Sequence, residues 1–437
     1  MTPTHGAGPG RSWLLRLVLT FSFAQAAVSM ARPAVSYRAI ALGADGRAVG
    51  VITAVYALLP LLVAVPLGRR TDHGRCAPLL VVGVALISGG CALSGAAGSL
   101  PAMAAWSGVM GLGHLCFVIG AQSIVARRSA PQDRDRNFGH FTIGASLGQL
   151  IGPVAAGLVV SGREGAMART SATALLVAGA VAALSYASLW RLEGRTPSAP
   201  GTPARAPGPA VSVRDILRAR GVPAGIFVSL AVLSATDILT AYLPVVGEDR
   251  GIAPATIGLL LSLRAAATLA CRLVMTPLLA LLGRTVLLAA TCGAAALLCG
   301  ALAAPLPVAA LAAVLAVLGF CLGVGQPLSM TTVVEAAPGN ARSTALALRL
   351  TGNRLGQVVA PAGAGLAAGL AGAAAPFVLL GALLLASALI AARSPGDGTA
   401  ARPASAARPG PAARDDGDRA GRARGPGRCG GPSGGSG

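Results

Sequence analysis

Residues 144–158 read GASLGQLIGPVAAGL, and the meaning given to those glycines decides the fold. The first five letters fit G-x-S-x-G, the pattern of a hydrolase nucleophile elbow. That device needs a sharp strand-to-helix turn and a histidine base that follows the serine in the chain. Here His5, His73, His114 and His140 all precede Ser146, and the surrounding run is apolar without strand-like alternation. Ser146 is therefore not read as a nucleophile. Gly144, Gly148 and Gly152 are spaced four apart, so on a helix they form one bare stripe against which a neighbour can pack closely. Pro153 cannot donate to the carbonyl of Gln149, which leaves a bend, a free carbonyl and an amide side chain at one level.

The stretch has a second copy. LGQLIGPVAAGL at 147–158 aligns with LGQVVAPAGAGL at 355–366, an offset of 208, so Gly356, Pro361 and Gly365 repeat Gly148, Pro153 and Gly157. The same offset pairs Gly43 and Gly50 with Gly251 and Gly258, and an offset of 209 pairs Gly74-Arg75 with Gly283-Arg284. Arg354 stands where the first copy has Ser146. Two parallel copies of a six-helix unit are the arrangement expected of a 6+6 transporter.

Composition places both copies in a bilayer. The chain is 54% hydrophobic and only 11% charged, far too little charge for the surface of a soluble protein of this length. Apolar runs recur from end to end, each long enough to span a hydrocarbon core. Twelve are expected, at 12–33, 48–68, 78–97, 102–125, 138–160 and 170–190, then at 222–246, 254–275, 285–303, 308–330, 346–369 and 374–392. The chain thus reads as an all-α membrane protein with a short N-terminal segment (1–11), a six-helix bundle (12–190), a linker (191–221), a second bundle (222–392) and a tail (393–437). The first span resembles a signal peptide, with Arg11 and Arg16 ahead of an apolar run and AQA near its end. With eleven spans behind it, it is read as a retained helix. The linker and tail are rich in Pro, Gly and Arg, with a short surface helix expected in VRDILRAR.

All 35 basic residues are arginine, as in a GC-rich bacterial source. The absence of lysine excludes a Walker A phosphate loop and a pyridoxal Schiff base. The net charge of +20 fits cytoplasmic retention of basic loops better than nucleic-acid binding. With both termini cytoplasmic, the inner connections hold Arg69, Arg70, Arg75, Arg127, Arg128, Arg134 and Arg136 and the arginines of 191–220, whereas the outer ones hold only Arg32, Arg38, Arg47, Arg163, Arg169 and Arg250. A bacterial cytoplasmic membrane is the expected location, and a monomer the expected form. Cys91, Cys116, Cys271, Cys292, Cys299 and Cys321 fall in or beside apolar runs and read as small hydrophobes. No metal or cofactor site is visible.

These motifs resemble the major facilitator superfamily over residues 12–392, in its drug/proton antiporter-like, actinobacterial form. GQLIGPVAAG resembles the fifth-helix antiporter motif G-x-x-x-G-P-x-x-G-G, with Ala156 replacing the first glycine of the last pair. GRRTDHGR at 68–75 resembles the loop G-x-x-x-D-x-x-G-R between helices two and three, with one residue fewer before Gly74. Its second-half counterpart, PLLALLGR, has no acid, and WSGVMGLGH lacks the fourth-helix arginine of proton-coupled exporters. The resemblance implies two rocking bundles, a small-molecule substrate in a central cavity, protons as coupling ion, and a cytoplasmic latch built from Gly68, Arg69, Arg70, Asp72, Gly74 and Arg75.

Two charges stand deep inside expected spans, Asp237 in the seventh and Arg264 in the eighth. An ionisable residue there normally faces a partner or a wet cavity and marks function. The two are expected to pair or share one polar site. Arginine stays charged whereas aspartate can take a proton, so Asp237 is the first proton-coupling candidate and His114 in the fourth span the second. Arg264, Gln25, Gln122, Gln149, Gln326 and Gln357 are candidates for lining the substrate cavity, and Arg349 and Asn353 for structural or gating roles. Efflux of small amphipathic compounds in exchange for protons is the favoured function. Transport of a physiological metabolite is the alternative, and a membrane enzyme or sensor the remote one.

Overall fold

The computed structural model describes residues 12–73, 77–129, 133–161, 166–189, 212–219, 221–337 and 342–393. Its helices are α1 (Ser12–Ala41), α2 (Gly46–His73), α3 (Ala77–Ala96), α4 (Leu100–Arg128), α5 (Arg134–Val160), α6 (Met167–Leu189), α7 (Val213–Arg218), α8 (Val222–Asp249), α9 (Pro254–Leu273), α10 (Met275–Leu282), α11 (Arg284–Ala303), α12 (Val308–Ala336), α13 (Arg342–Ala371) and α14 (Ala375–Arg393). Eleven of these are long and apolar enough to cross a membrane; α13 is not among them. With no water to satisfy backbone groups in the hydrocarbon layer, helices are the form such segments must take.

Packing follows the duplication. In the first half α1 packs on α5 and α6, α3 on α4 and α6, and α2 on α4. In the second half α8 packs on α13, α12 and α14, α9 on α12, and α11 on α14 and α12. Contacts between the halves run chiefly through α2 with α13 and α5 with α9, with α1 and α2 also touching α8.

The repeat is also visible in backbone detail. Gly43 and Gly251 both take left-handed backbone, at φ +83° and +66°. At α1 the Ala44 and Gly43 amides donate to Ala39 and Ile40 oxygens (2.9 Å each), and at α8 the Ile252 and Gly251 amides donate to Gly247 and Glu248 oxygens (2.8 and 3.1 Å). These are Schellman caps, offset by 208 residues.

Several boundaries differ from expectation. α1 does not stop at 33 but continues through Pro33 to Ala41. Proline costs the bond to the Ser29 carbonyl, but packed transmembrane helices tolerate that loss. α2 is helical through residue 73, into the stretch expected as a loop. α9 ends at Leu273 and a further helix, α10, follows. The short helix expected in VRDILRAR is α7, and its fully buried Ile216 packs with Val222, Val333, Ala337 and Ala345.

Gly74 and Arg75 lie outside the described residues, as do the side chains of Gly68, Arg69, Arg70 and Asp72, most of the linker and the tail. All six cysteines named above are free and buried.

Candidate functional site

The site is built where the two halves meet at mid-helix. Asp237 lies twelve residues before the end of α8, Arg32 nine before the end of α1, and Arg264 ten after the start of α9. At ~1.5 Å per residue these positions are roughly 14–18 Å from the helix ends. Asp237 is 3% exposed, and both its oxygens are engaged. Arg32 Nη1 sits 2.6 Å from Oδ1, and Gln357 Nε2 donates to Oδ2 at 2.8 Å. Arg354 Nη1 in turn donates to Gln357 Oε1 at 3.0 Å. One carboxylate therefore ties α1 of the first half to α8 and α13 of the second.

The network continues into the first half. The Arg32 guanidinium stands over the Tyr56 ring, 5.3 Å from its centroid. The Tyr56 hydroxyl is 2.8 Å from His114 Nδ1, and His114 Nε2 is 3.2 Å from Gln25 Oε1. Gln25 Nε2 donates to Ser29 Oγ at 3.3 Å. Because Gln25 offers its oxygen, His114 donates through Nε2 and accepts the Tyr56 proton at Nδ1. Both ring nitrogens are committed. A cavity with room for little more than one water molecule lies alongside, lined by Arg32, Thr53, Tyr56 and Ser107 among others.

The direct partner of Asp237 is thus Arg32, not Arg264; of the two arrangements expected from sequence, a direct pair or one shared polar site, the direct pair is corrected. Arg32 was assigned to an outer connection because the first span was expected to end at 33, whereas the helix continues to Ala41 and carries it inside. Arg264 is close enough to feel the charges of Arg32 and Asp237, but makes no hydrogen bond or ion pair with them. Tyr56 and Arg354 were also missed. The only signal for Arg354 was its place opposite Ser146 in the repeat, and a single tyrosine in an apolar run carries none.

Other candidates are placed as follows. Gln326 lies outside the Asp237 network: its Nε2 donates to the Ser229 carbonyl at 2.7 Å, and its Oε1 accepts from Arg349 Nη2 at 2.7 Å. Arg349 also reaches the Gln326 carbonyl (2.9 Å) and Ser329 Oγ (3.3 Å), bracing α13 on α12. Asn353 is buried. Gln122 and Gln149 are exposed.

The glycine stripe Gly144, Gly148 and Gly152 faces α1; a Cβ at Gly148 would sit 2.6 Å from the Ala26 nitrogen. Gly356 packs on α8 at Leu230 and Ser234.

Further along the same helices, the repeated motifs close one end of the molecule. A Cβ on Gly50 of α2 would lie 2.6 Å from both the Pro361 oxygen and the Gly365 Cα of α13. A Cβ on Gly258 of α9 would collide with the Pro153 oxygen and approach the Gly157 Cα of α5 at 3.2 Å. The two contacts are copies of one another at the 208-residue offset. Tyr242 Oη adds a bond to the Gly46 oxygen (2.8 Å), and Ser161 Oγ accepts from the Ala255 amide (2.8 Å). Among the described residues no comparable contact joins α4 or α5 to α12 or α13 at the opposite end.

A membrane-embedded helical protein with halves closed against each other at one end, and a buried charge network between them, is a polytopic membrane transporter. The chain belongs to the Major Facilitator Superfamily, whose family model matches residues 17–252 and 226–420. No curated protein sequence matches it. Among solved structures it is similar to the nucleoside transporter NupG (TM-score 0.68, 14% identity, covering 87% of this chain and 98% of that one). It is likewise similar to a bacterial homolog of the human lysosomal transporter Spinster in an inward-facing, unoccupied conformation (0.65, 15%, 88% and 95%). A third similar structure is the peptide transporter POT in complex with sulfate (0.64, 16%, 89% and 95%).

Proposed function

We propose that this protein is a twelve-span secondary active transporter whose two six-helix bundles, 12–190 and 222–392, rock to expose a central site alternately to each side. The observation that carries this is Asp237, held at once by Arg32 from the first half and Gln357 from the second. A titratable group shared between two moving bodies is suited to couple proton movement to their rearrangement. Helices α2 and α5 meet the closed end through Gly50 and Gly157, so their opposite ends, which lead into the arginine-rich stretches of the sequence, are at the open end, and the positive-inside rule makes that end cytoplasmic. The closed end, with Gly50, Gly258 and their partners, is then external, and the conformation is inward-facing.

The antiporter-like motif on α5 favours export of small amphipathic compounds in exchange for protons across a bacterial cytoplasmic membrane. A second version, transport of a physiological metabolite, is favoured by the missing arginine in α4 and by the nucleoside and peptide transporters among similar structures. The test is accumulation of a panel of fluorescent and toxic compounds in exporter-deficient cells carrying wild type or Asp237→Asn at matched expression, with and without a protonophore. Reduced accumulation that disappears with protonophore and with the substitution supports proton-driven export. Raised accumulation in wild-type cells moves the reading to uptake. No effect of wild type on any compound sinks the export version.

A further inference from the structure

We infer that the transported compound carries a negative charge, a carboxylate or phosphate group, and that Arg264 and Arg354 hold it. This names a substrate class for the central site and rests on the transporter reading above. The charges around the site do not balance. Arg32, Arg264 and Arg354 converge there against one carboxylate, Asp237, whose two oxygens are already taken by Arg32 and Gln357. Arg32 is thereby neutralised. Among the described residues Arg354 hydrogen-bonds only the uncharged oxygen of Gln357.

Arg264 is the stronger clue. It is 8% exposed, its Nε is buried without a partner, and it makes no hydrogen bond or ion pair among the described residues. It lies on the interior face of α9, in line with Leu260, Leu261, Thr268 and Cys271, while Leu259 and Leu263 take the outer face. Other arginines in this protein show what a structural role looks like. Arg349 braces Gln326 and Ser329, while Arg38 donates to the Ala97 and Ala168 carbonyls and Arg250 to those of Leu302 and Ala303. Arg264 does none of this. A guanidinium kept in a membrane interior with free donors is costly unless something charged visits it. Its planar fork matches a carboxylate or phosphate with two parallel bonds. A cationic substrate would instead meet the repulsion of the uncompensated arginines.

The test uses the purified full chain in detergent and follows thermal unfolding with defined probes. Succinate, salicylate and glucose 6-phosphate are the anions, tetraphenylphosphonium the cation and uridine the neutral control. At least one anion is expected to raise the midpoint by a few degrees by binding the folded state, with no shift from cation or neutral. Arg264→Gln should weaken that anion's affinity about thirty-fold or more, and Arg264→Lys should recover part of it. Should Arg264→Gln fail to fold, Arg354→Gln gives the same readout. Protection by cation or neutral probe alone, an anion effect unchanged in these variants, or no protection by any anion overturns the proposal. The rocking-bundle reading fails separately: full turnover with a disulfide formed between Ser161→Cys and Ala255→Cys would refute it whatever the charge of the compound carried.

Discussion

Asp237 of α8 is satisfied from two other helices, α1 and α13, and a carboxylate so engaged should behave as one member of a pair. Removing one partner of a buried ion pair leaves the other charge uncompensated, at a cost of about 3–5 kcal/mol, whereas removing both is often close to neutral. Arg32→Gln and Asp237→Asn should each lower thermal stability, and the double variant should be more stable than either. The effect should fall at the lower end of that range, because Arg32 keeps 20% side-chain exposure. A double-mutant cycle on the detergent-purified protein checks this; strictly additive losses would mean that the pair is not coupled. The acid of this pair was legible in the sequence, since an aspartate in an apolar run stands out by composition alone. Its partner was not, because a proline next to Arg32 mimics a helix end and only packing decides that the helix continues. Among the candidate glutamines, Gln357 reached the network and Gln149 stayed exposed, although both occupy the same place in the repeat. The sequence pattern sets level and helix; which way each helix faces its neighbours comes from the whole assembly.

At the scale of elements, the duplicated glycine–proline stretch does two jobs on one helix. In α5 the stripe Gly144, Gly148 and Gly152 lies against α1, while Pro153 and Gly157 reach across to Gly258 of α9. In α13 the corresponding residues reach across to Gly50 of α2. Close packing of the stripe follows from spacing, but the crosswise contact depends on how the two halves are apposed. If the closed end opens during transport, tying it shut should stop turnover. Ser161 and Ala255 are joined across it, Oγ to amide, at 2.8 Å. The pair Ser161→Cys/Ala255→Cys is expected to lose most transport on oxidation and recover it on reduction, with each single variant unaffected. The buried native thiols should not interfere, since reactivity follows exposure. Full turnover with the disulfide demonstrably formed would refute movement at this end. Conversely, Gly50→Leu places bulk where a Cβ already meets backbone on α13 at 2.6 Å. It should disfavour closure and expose Thr53→Cys to impermeant thiol reagents added from outside.

For the whole molecule, the open question is parity. Eleven described helices qualify as spans by length and apolarity, and an odd number would put the two termini on opposite sides. The helix left out, α13, carries Arg342, Arg349, Asn353, Arg354 and Gln357 between its start and its midpoint region. Its polar groups are spent on interior partners: Gln357 on Asp237, Arg354 on Gln357, Arg349 on Gln326. Its other face carries Leu355, Val359 and Leu366, all exposed, as a surface turned to the bilayer would be. Average hydropathy cannot see this division, which is why a helix that lines the site looks least like a span. α13 also packs on α8 near its start, through Gly352 and Gly356, and on α2 near its end, through Gly365 and Gly369. A helix of 30 residues is roughly 45 Å long at ~1.5 Å per residue, enough to cross the whole bilayer. On the twelve-span reading proposed above, α13 is the remaining crossing and both termini share a side. A green fluorescent protein fused ahead of residue 12, and separately after residue 393, should fluoresce in both positions, while alkaline phosphatase at the same two points should be inactive. Phosphatase activity at one terminus only would remove α13 from the membrane, and with it the placement of Gln357 and Arg354 beside Asp237.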